Sequence, residues 1–311
     1  MIDRDATAGA VAAKLRTGHA DVAGSVFAGA LVATLVASVA ILVVLLWDVF
    51  RRGVPVLADR GADFLAAGPS SFPAEAGIGA ALAGSIVMMA IVAVVAFPLG
   101  VGAAVYLEEY ARDTWLTRVI AANVRNLAGV PSIVYGILGL VLFVDALNRL
   151  INIRDLGSLL SGGLTLAVLV LPIVVITTSE ALRAVPKSLR EAAFGVGATR
   201  WEVIRHHVLP AAAPGVLTGI VLSLARAFGE TAPLLLVGAT GAFFATGNAS
   251  FMGKLLTTAY SAVPIQILNW AVDPNPAFKS LAAAGIVVMM VILLLVNGVA
   301  IWLRDRYERA W

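Results

Sequence analysis

The chain contains no cysteine and only three histidines among its 311 residues. Without cysteine there can be no disulfide framework, no thiolate metal site and no thiol nucleophile. His19, His206 and His207 have no cluster of carboxylates at the spacing that metal ligands need, so we expect no metal site. These absences argue against a metalloenzyme and against an enzyme that uses a cysteine.

Charged residues are scarce as well, and long apolar runs take their place. Charged residues make up 13% of the sequence, hydrophobic residues make up 60%, and the mean hydropathy is +0.94. Soluble domains contain about 45–50% apolar and about 25% charged residues. A fold that buried so much apolar surface in water would be very unusual, so the composition predicts an integral membrane protein.

Six stretches with little charge are long enough to cross a bilayer, which takes about 20 apolar residues in a helix. We predict an all-α membrane protein with a transmembrane domain at 24–303. Its predicted spans are 24–47, 79–106, 127–147, 158–180, 209–238 and 281–303. Placing both tails, 1–23 and 304–311, in the cytoplasm puts most of the Lys and Arg residues on that side, as the positive-inside rule requires. The first span is too long for a cleaved signal peptide, so we expect it to be a retained anchor.

Two longer connections are expected on the other side of the membrane. Residues 48–77 contain several glycines and prolines and are predicted to form a loop. Residues 239–280 contain Ile265, Ile267 and Trp270, which suit a helix that lies at the membrane surface. No separate soluble domain is expected.

The cytoplasmic stretch at 184–208 is predicted to be a hairpin of two short helices. Pro186 is suited to the start of the first helix, where its missing N–H is not needed. Gly195 and Gly197 permit a break after it. Thr199 and Glu202 have the Thr-x-x-Glu spacing of a capping box, which predicts the start of the second helix.

This stretch resembles the EAA loop of ABC importer permeases. The match consists of Glu-Ala-Ala at 191–193, Gly197 after three residues, and Leu-Pro at 209–210, all at the family spacing. His207 departs from the pattern, because the family has an aliphatic residue there. In that family the hairpin is the coupling helix that docks onto an ATPase subunit. The resemblance therefore implies an ATPase-coupling role for Glu191, Ala192, Ala193, Gly197, Thr199, Arg200, Leu209 and Pro210.

Three further segments are similar to the phosphate permease subunits of the PstA type. They read VYLEEYA at 105–111, NLAGVPSIVYG at 126–136 and ARAFGETAP at 225–233, and the similarity covers about 79–303. It implies a bacterial inner-membrane permease for inorganic phosphate. The implied partners are a second permease of the PstC type, two ATPases of the PstB type and an external phosphate-binding protein of the PstS type. No nucleic-acid partner is expected.

Two charged residues lie inside the predicted fifth span. An ionisable side chain in the bilayer costs about 2.5–3.5 kcal/mol even on lenient scales, so it normally faces the protein interior and has a partner. Arg226 and Glu230 are four residues apart, which places them on one face of a helix. One reading is an ion pair that only fixes helix packing. The other is that Arg226, Glu230 and Thr231 line the substrate pathway, because a guanidinium binds phosphate oxygens well.

The chain has no recognisable nucleotide-binding loop. The nearest approach, Gly247 to Lys254, has five residues between its glycines instead of four, and Leu255 replaces the required Ser or Thr. We therefore expect no cofactor on this non-catalytic chain, with ATP and Mg²⁺ on the partner ATPase. Two alternatives stay open at this point. One is an ABC permease for another oxyanion, such as molybdate or sulfate, and the other is a secondary anion transporter.

Overall fold

Helices provide all the regular structure in the described part of the chain, which in this computed structural model is residues 22–146, 149, 157–239 and 260–308. Parts of the predicted scheme fall outside these residues. They are the tail up to residue 21, the last residue of the predicted third span, residues 240–259 of the predicted external connection at 239–280, and residues 309–311.

The first helix, α1, runs over Val22–Ala66 and is far longer than the span predicted for it. Its residues 22–51 belong to a unit of their own, whose apolar side chains, such as Val36 and Leu45, are exposed. The sequence predicted a loop at 48–77, but the residues up to Ala66 are helical, so that part of the prediction is wrong. Pro55 lies inside the helix without ending it. Membrane helices tolerate such prolines when neighbouring groups satisfy the freed backbone.

The centre of the second unit is a pair of long helices. Helix α2 runs over Gly79–Val105 and continues as a π-helical turn at Tyr106–Tyr110. Further along the chain, a long helix at Leu159–Ala184 packs along α2, and Met88 and Val170 are buried between them. At the same contact Gly100 lies against Val174 and Gly163 against Ile91, and small residues of this kind let membrane helices approach closely.

The predicted third span is a bent pair of helices. Helix α3 covers Trp115–Ala128, and α4 covers Ser132–Gly139 with a π-helical turn at Leu140–Val144. Their axes differ by 103°. The sequence predicted one span starting at 127, but this start is wrong, because residue 127 belongs to α3 and α4 begins only at Ser132. Pro131 cannot donate to the turn before it, and its ring would clash with the carbonyl of the residue four before it in a continuous helix.

The long Leu159–Ala184 helix is α5, and the predicted hairpin follows it. Its helices are α6, Lys187–Gly195, and α7, Arg200–Val203. A π-helical turn at Ile204–Val208 joins α7 to α8, Leu209–Gly229, so that the helix is continuous from Arg200.

The predicted fifth span at 209–238 is wrong beyond Gly229. Glu230 is extended, and a separate short helix, α9, follows at Ala232–Leu236. The physical reason is Pro233, whose ring would clash with the carbonyl of Gly229 in an unbroken helix. Arg226 is consequently in the last turn of a helix and Glu230 is beyond its end, whereas the prediction placed both near mid-helix.

Two helices complete the described chain, α10 at Val263–Val272 and α11 at Pro276–Glu308. The helix predicted around 265–270 is present, but the prediction that it lies at the membrane surface is wrong. Ile265 and Trp270 are buried in the core, Trp270 beside Phe64. The N–H of Val263 donates to the Ser85 hydroxyl at 2.9 Å, which attaches α10 to α2.

Within the described part of the chain, five helices are long and apolar enough to cross a membrane, or six if the bent α3–α4 pair forms one span. The long runs are α1, α2 with its π-helical turn, α5, residues 200–229 and α11. The chain is thus a multi-pass membrane protein, and the count of six spans remains a prediction.

The contact between α2 and the segment before α10 generates a test of this packing. A methyl group on Gly84 would overlap the backbone carbonyl of Ser261, and backbone cannot move aside as a side chain can. We expect Gly84→Ala to lower the free energy of unfolding by about 1–3 kcal/mol. Thermal unfolding of the detergent-purified protein measures it. Gly102→Ala on the same helix is the control, because nothing lies within 4 Å of its added methyl group. Equal melting temperatures for the two variants would refute this packing.

Candidate functional site

The intramembrane charges predicted from the sequence form an ion pair. Nε of Arg226 lies 3.3 Å from Oε1 of Glu230. The Arg226 side chain is 44% exposed on this chain, whereas that of Glu230 is 18% exposed. A guanidinium has five N–H donors. The closest contact to Glu230 is made through Nε, one of these five.

Packing between the two broken helices holds this pair in position. Helix α9, which begins just after Glu230, packs on α4. Gly136 on α4 lies so close to Pro233 that any side chain there would overlap the proline backbone. On the same turn of α4, the Tyr135 hydroxyl donates to the carbonyl of Leu127 at 2.8 Å and fixes the end of α3. Two segments that both carried the resemblance therefore meet in space, although they are far apart in sequence.

Arg226 lies at the edge of an apolar recess between α3, α5 and α8. The recess has a volume of about 510 Å³, and Arg226 is its charged residue. It is lined by Ala128, Ile173, Ile176, Thr177, Leu222, Ala225 and Arg226. Thr231, which the sequence placed with the pair, is half-buried at the start of α9, and its backbone carbonyl accepts the Leu235 N–H at 3.2 Å. A cation beside an apolar cavity suits transient binding of an anion.

The predicted hairpin is formed, and its caps have the expected geometry. The Thr199 hydroxyl accepts the Glu202 N–H at 3.4 Å, and the Glu202 carboxylate accepts the Thr199 N–H at 2.8 Å. Gly197 has a φ of +87°, a conformation that favours glycine. The predicted capping box and break are therefore confirmed.

The other sequence-predicted hairpin residues divide into buried and exposed positions. Ala193 is buried against the ends of α2, α5 and α8, while Glu191 and Ala192 are exposed. The Arg200 guanidinium lies over the Tyr110 ring at 5.1 Å. Leu209 and Pro210 are half-buried where α8 begins, and His207 is half-buried in the π-helical turn before them.

An ion pair that the sequence analysis missed attaches the hairpin to the membrane helices. Nη2 of Arg190 lies 2.7 Å from Oε1 of Glu109, and these side chains are only 19% and 10% exposed. The same guanidinium donates to the carbonyls of Leu182 and Val185, both at 2.8 Å. Arg190 thus joins α6 to the end of α2 and to two carbonyls at the C-terminal end of α5, where helix carbonyls lack their usual i+4 partners.

A second pair lies beside it in a more exposed position. Nε of Arg183 lies 2.8 Å from Oε2 of Glu108, with Arg183 61% exposed. The two glutamates are adjacent in one of the segments that carried the resemblance. Their partners are 75 and 81 residues further along, so only the fold reveals the pairing.

Three large apolar side chains of the hairpin are exposed. Phe194, Val196 and Trp201 are 48%, 86% and 54% exposed. Exposed apolar side chains on an otherwise polar hairpin are typical of a surface that contacts another protein.

The sequence pattern of the "Binding-protein-dependent transport system inner membrane component" family matches residues 96–309. The chain belongs to this family. The matched residues include the Arg226–Glu230 pair, the hairpin and both glutamates of the α2 end.

Curated relatives and solved structures agree with this membership of the transport-permease family. The chain is 35% identical over 232 residues to "Phosphate transport system permease protein PstA" of Yersinia pestis, covering 75% of this chain and 74% of the relative. It is 32% identical to "Probable ABC transporter permease protein YqgI" of Bacillus subtilis, covering 85% and 89%. The permease of the inward-facing MetNI methionine ABC transporter is 18% identical with a TM-score of 0.52, covering 74% and 94%. The fold is that of ABC importer permeases.

The Arg190–Glu109 and Arg183–Glu108 ion pairs provide a matched comparison. Glu109→Gln removes a charge from a nearly buried pair, so we expect a loss of about 1.5–3 kcal/mol in the local stability of α6. Glu108→Gln affects an exposed arginine and should cost less than about 1 kcal/mol. Hydrogen–deuterium exchange of peptides from 187–195 measures both. Faster exchange in Glu108→Gln than in Glu109→Gln would contradict the assignment of Arg190 as the main attachment.

Proposed function

We propose that this chain is a transmembrane permease subunit of an ATP-driven importer that moves inorganic phosphate into the cytoplasm. The observation that carries the proposal is the Arg226–Glu230 pair, a partly exposed guanidinium in an otherwise apolar segment. The PstA names of several relatives indicate the same substrate. A second permease subunit would cover this face and complete the pathway.

Arg226 and Glu230 have complementary roles in this proposal. The planar guanidinium of Arg226 donates charge-assisted hydrogen bonds to phosphate oxygens as the anion passes. Glu230 repels a dianion and therefore does not bind it. Instead, the carboxylate holds Arg226 when phosphate is absent and competes for it afterwards, so that the anion is bound only briefly.

The hairpin transmits the motion of an ATPase to the membrane helices. Phe194, Val196 and Trp201 form the apolar surface that docks on the ATPase. Arg190 then connects α6 to Glu109 at the end of α2 and to the end of α5. A displacement of the hairpin would pull on both long helices together, because the attachment is nearly buried and has several hydrogen bonds.

The full transporter in this proposal contains a PstC-type permease, two PstB-type ATPases and an external PstS-type phosphate-binding protein. ATP and Mg²⁺ bind to the ATPases, and this chain carries neither catalytic residues nor a cofactor. The protein resides in the inner membrane of a bacterium with both termini in the cytoplasm, as the distribution of Lys and Arg predicts.

The primary experiment is a pull-down of this chain from detergent, followed by an ATPase assay with and without a phosphate-loaded binding protein. We expect a second permease and an ATPase to co-purify, and phosphate to stimulate hydrolysis. Stimulation by molybdate or sulfate in place of phosphate would refute the substrate. Uptake that persists without ATP and depends on an ion gradient would refute the ATP-driven mechanism.

The pathway role of the ion pair is tested by substitutions in vesicles. Arg226→Gln should lower the phosphate uptake rate about tenfold or more, because a charge-assisted hydrogen bond is worth about 1.5–3 kcal/mol. Arg226→Lys keeps the charge but loses the planar fork, and an intermediate rate is expected. Glu230→Gln should also slow uptake, since nothing then competes with phosphate for Arg226. Normal assembly with parental uptake in Arg226→Gln and Glu230→Gln would leave the pair a packing contact only.

The docking role of the hairpin is tested by placing a charge on its apolar surface. Val196→Asp should reduce the ATPase recovered in the pull-down about tenfold, because a buried unpaired carboxylate is costly. Phe72→Asp is the matched control, since Phe72 is 67% exposed and precedes α2 on the predicted external side. Full ATPase recovery with Val196→Asp would place the docking surface elsewhere.

A further inference from the structure

Helix α3 has the orientation of a helix that lies along the membrane surface. It follows the π-helical turn at the end of α2 after only four residues, so it begins near one membrane face. The 103° bend after Ala128 then turns the chain into the apolar helix α4. If α4 runs into the bilayer, a helix nearly at right angles to it lies in the plane of the membrane surface.

The two faces of α3 differ in chemistry. Leu116, Ile120 and Leu127 are 60%, 44% and 46% exposed, and at about 100° per residue they project on one side. Arg118 and Arg125, seven residues apart, project on nearly the opposite side. No residue of α3 is buried. An exposed apolar face with arginines opposite is typical of a helix embedded at the lipid interface.

The arginine side of α3 borders a recess that is rich in positive charge. The recess has a volume of about 360 Å³. Its charged lining consists of Arg112, Arg118, Arg125 and Arg183 with the acids Glu108 and Asp113. The four guanidinium groups outnumber the two carboxylates, so the recess attracts an anion.

Not all of these arginines are engaged by the acids. Arg183 contacts Glu108 at 2.8 Å. Arg118 approaches Asp113 at 3.5 Å, with both side chains more than 70% exposed, a kind of contact that contributes little. Among the described residues, Arg112 and Arg125 form no ion pair within 4 Å. At least two guanidinium groups are therefore available to an incoming anion.

We propose that α3 is an interfacial helix whose arginine-lined recess binds the phosphate group of an anionic phospholipid. Guanidinium groups form paired hydrogen bonds with phosphate oxygens. Basic residues at the cytoplasmic surface are attracted by anionic lipids. The recess thereby supplies a second phosphate-binding position, remote in sequence from Arg226, that anchors the cytoplasmic end of α2 to the bilayer.

The exposed apolar face favours a lipid over free inorganic phosphate. The apolar face of Leu116, Ile120 and Leu127 already places α3 at the bilayer surface, so the recess lies at the level of the phospholipid headgroups. A lipid satisfies both sides of α3 at once, with its headgroup at the arginines and acyl chains below the leucines and isoleucine. The proposal is independent of the substrate that the transporter carries.

The test uses the whole transporter in phosphatidylcholine nanodiscs containing a photoreactive phosphatidylglycerol probe or the matching phosphatidylcholine probe. Labelling of peptides from 112–128 is measured by mass spectrometry. We expect the phosphatidylglycerol probe to label preferentially, and Arg118→Gln and Arg125→Gln each to reduce that preference about fivefold. Lys279→Gln is the control, because it removes one exposed charge just before the predicted last span. The amount of assembled complex and its ATPase activity verify that the variants are folded.

Two results would overturn the proposal. The first is equal labelling by the two probes in the parent protein, or an unchanged preference in Arg118→Gln and Arg125→Gln. The second is displacement of the phosphatidylglycerol probe by millimolar inorganic phosphate, which would make the recess a site for the free anion. Either result leaves the uptake measurements with Arg226→Gln unaffected, so the two proposals fail separately.

Discussion

The nearly buried contact between Arg190 and Glu109 is the interaction on which the cytoplasmic end of the molecule depends. One guanidinium pairs with a carboxylate at the end of α2 and also satisfies two carbonyls at the end of α5. A partly desolvated charge needs all of these partners, because an unmatched one would be costly. The hairpin is therefore fastened to the ends of both central helices by one buried group of contacts.

In the apolar part of the molecule, breaks between helices decide where the charged side chains lie. Prolines lie inside α1, α2, α5 and α8 without ending them, whereas Pro131 and Pro233 coincide with breaks between helices. Irregular backbone within a membrane must be covered by protein, since lipid cannot form hydrogen bonds with it. Here α4 and α9 cover each other's breaks through the close approach of Gly136 to Pro233. That contact positions Glu230 to hold Arg226.

The candidate site is thus partly a local and partly a tertiary construction. The spacing of Arg226 and Glu230 predicted their contact. The contact exists even though the helix ends at Gly229, between the two residues. The Thr199–Glu202 box and the break at Gly197 were also predictable, because both are satisfied within a few residues. Arg190 and Glu109 could not be paired in advance, since 81 residues separate them and nothing local links their charges.

The sequence by itself determined the membrane environment, the helical class and the hairpin, because apolar run length, capping and turn chemistry act over a few residues. It predicted loops and spans wrongly where distant residues decide the outcome. Helix α1 continues through Pro55, α10 is buried beside Phe64, and the third and fifth spans are broken. Only the tertiary structure decided these features, because burial and ion pairing depend on which surfaces meet, and no local pattern of residues specifies that meeting.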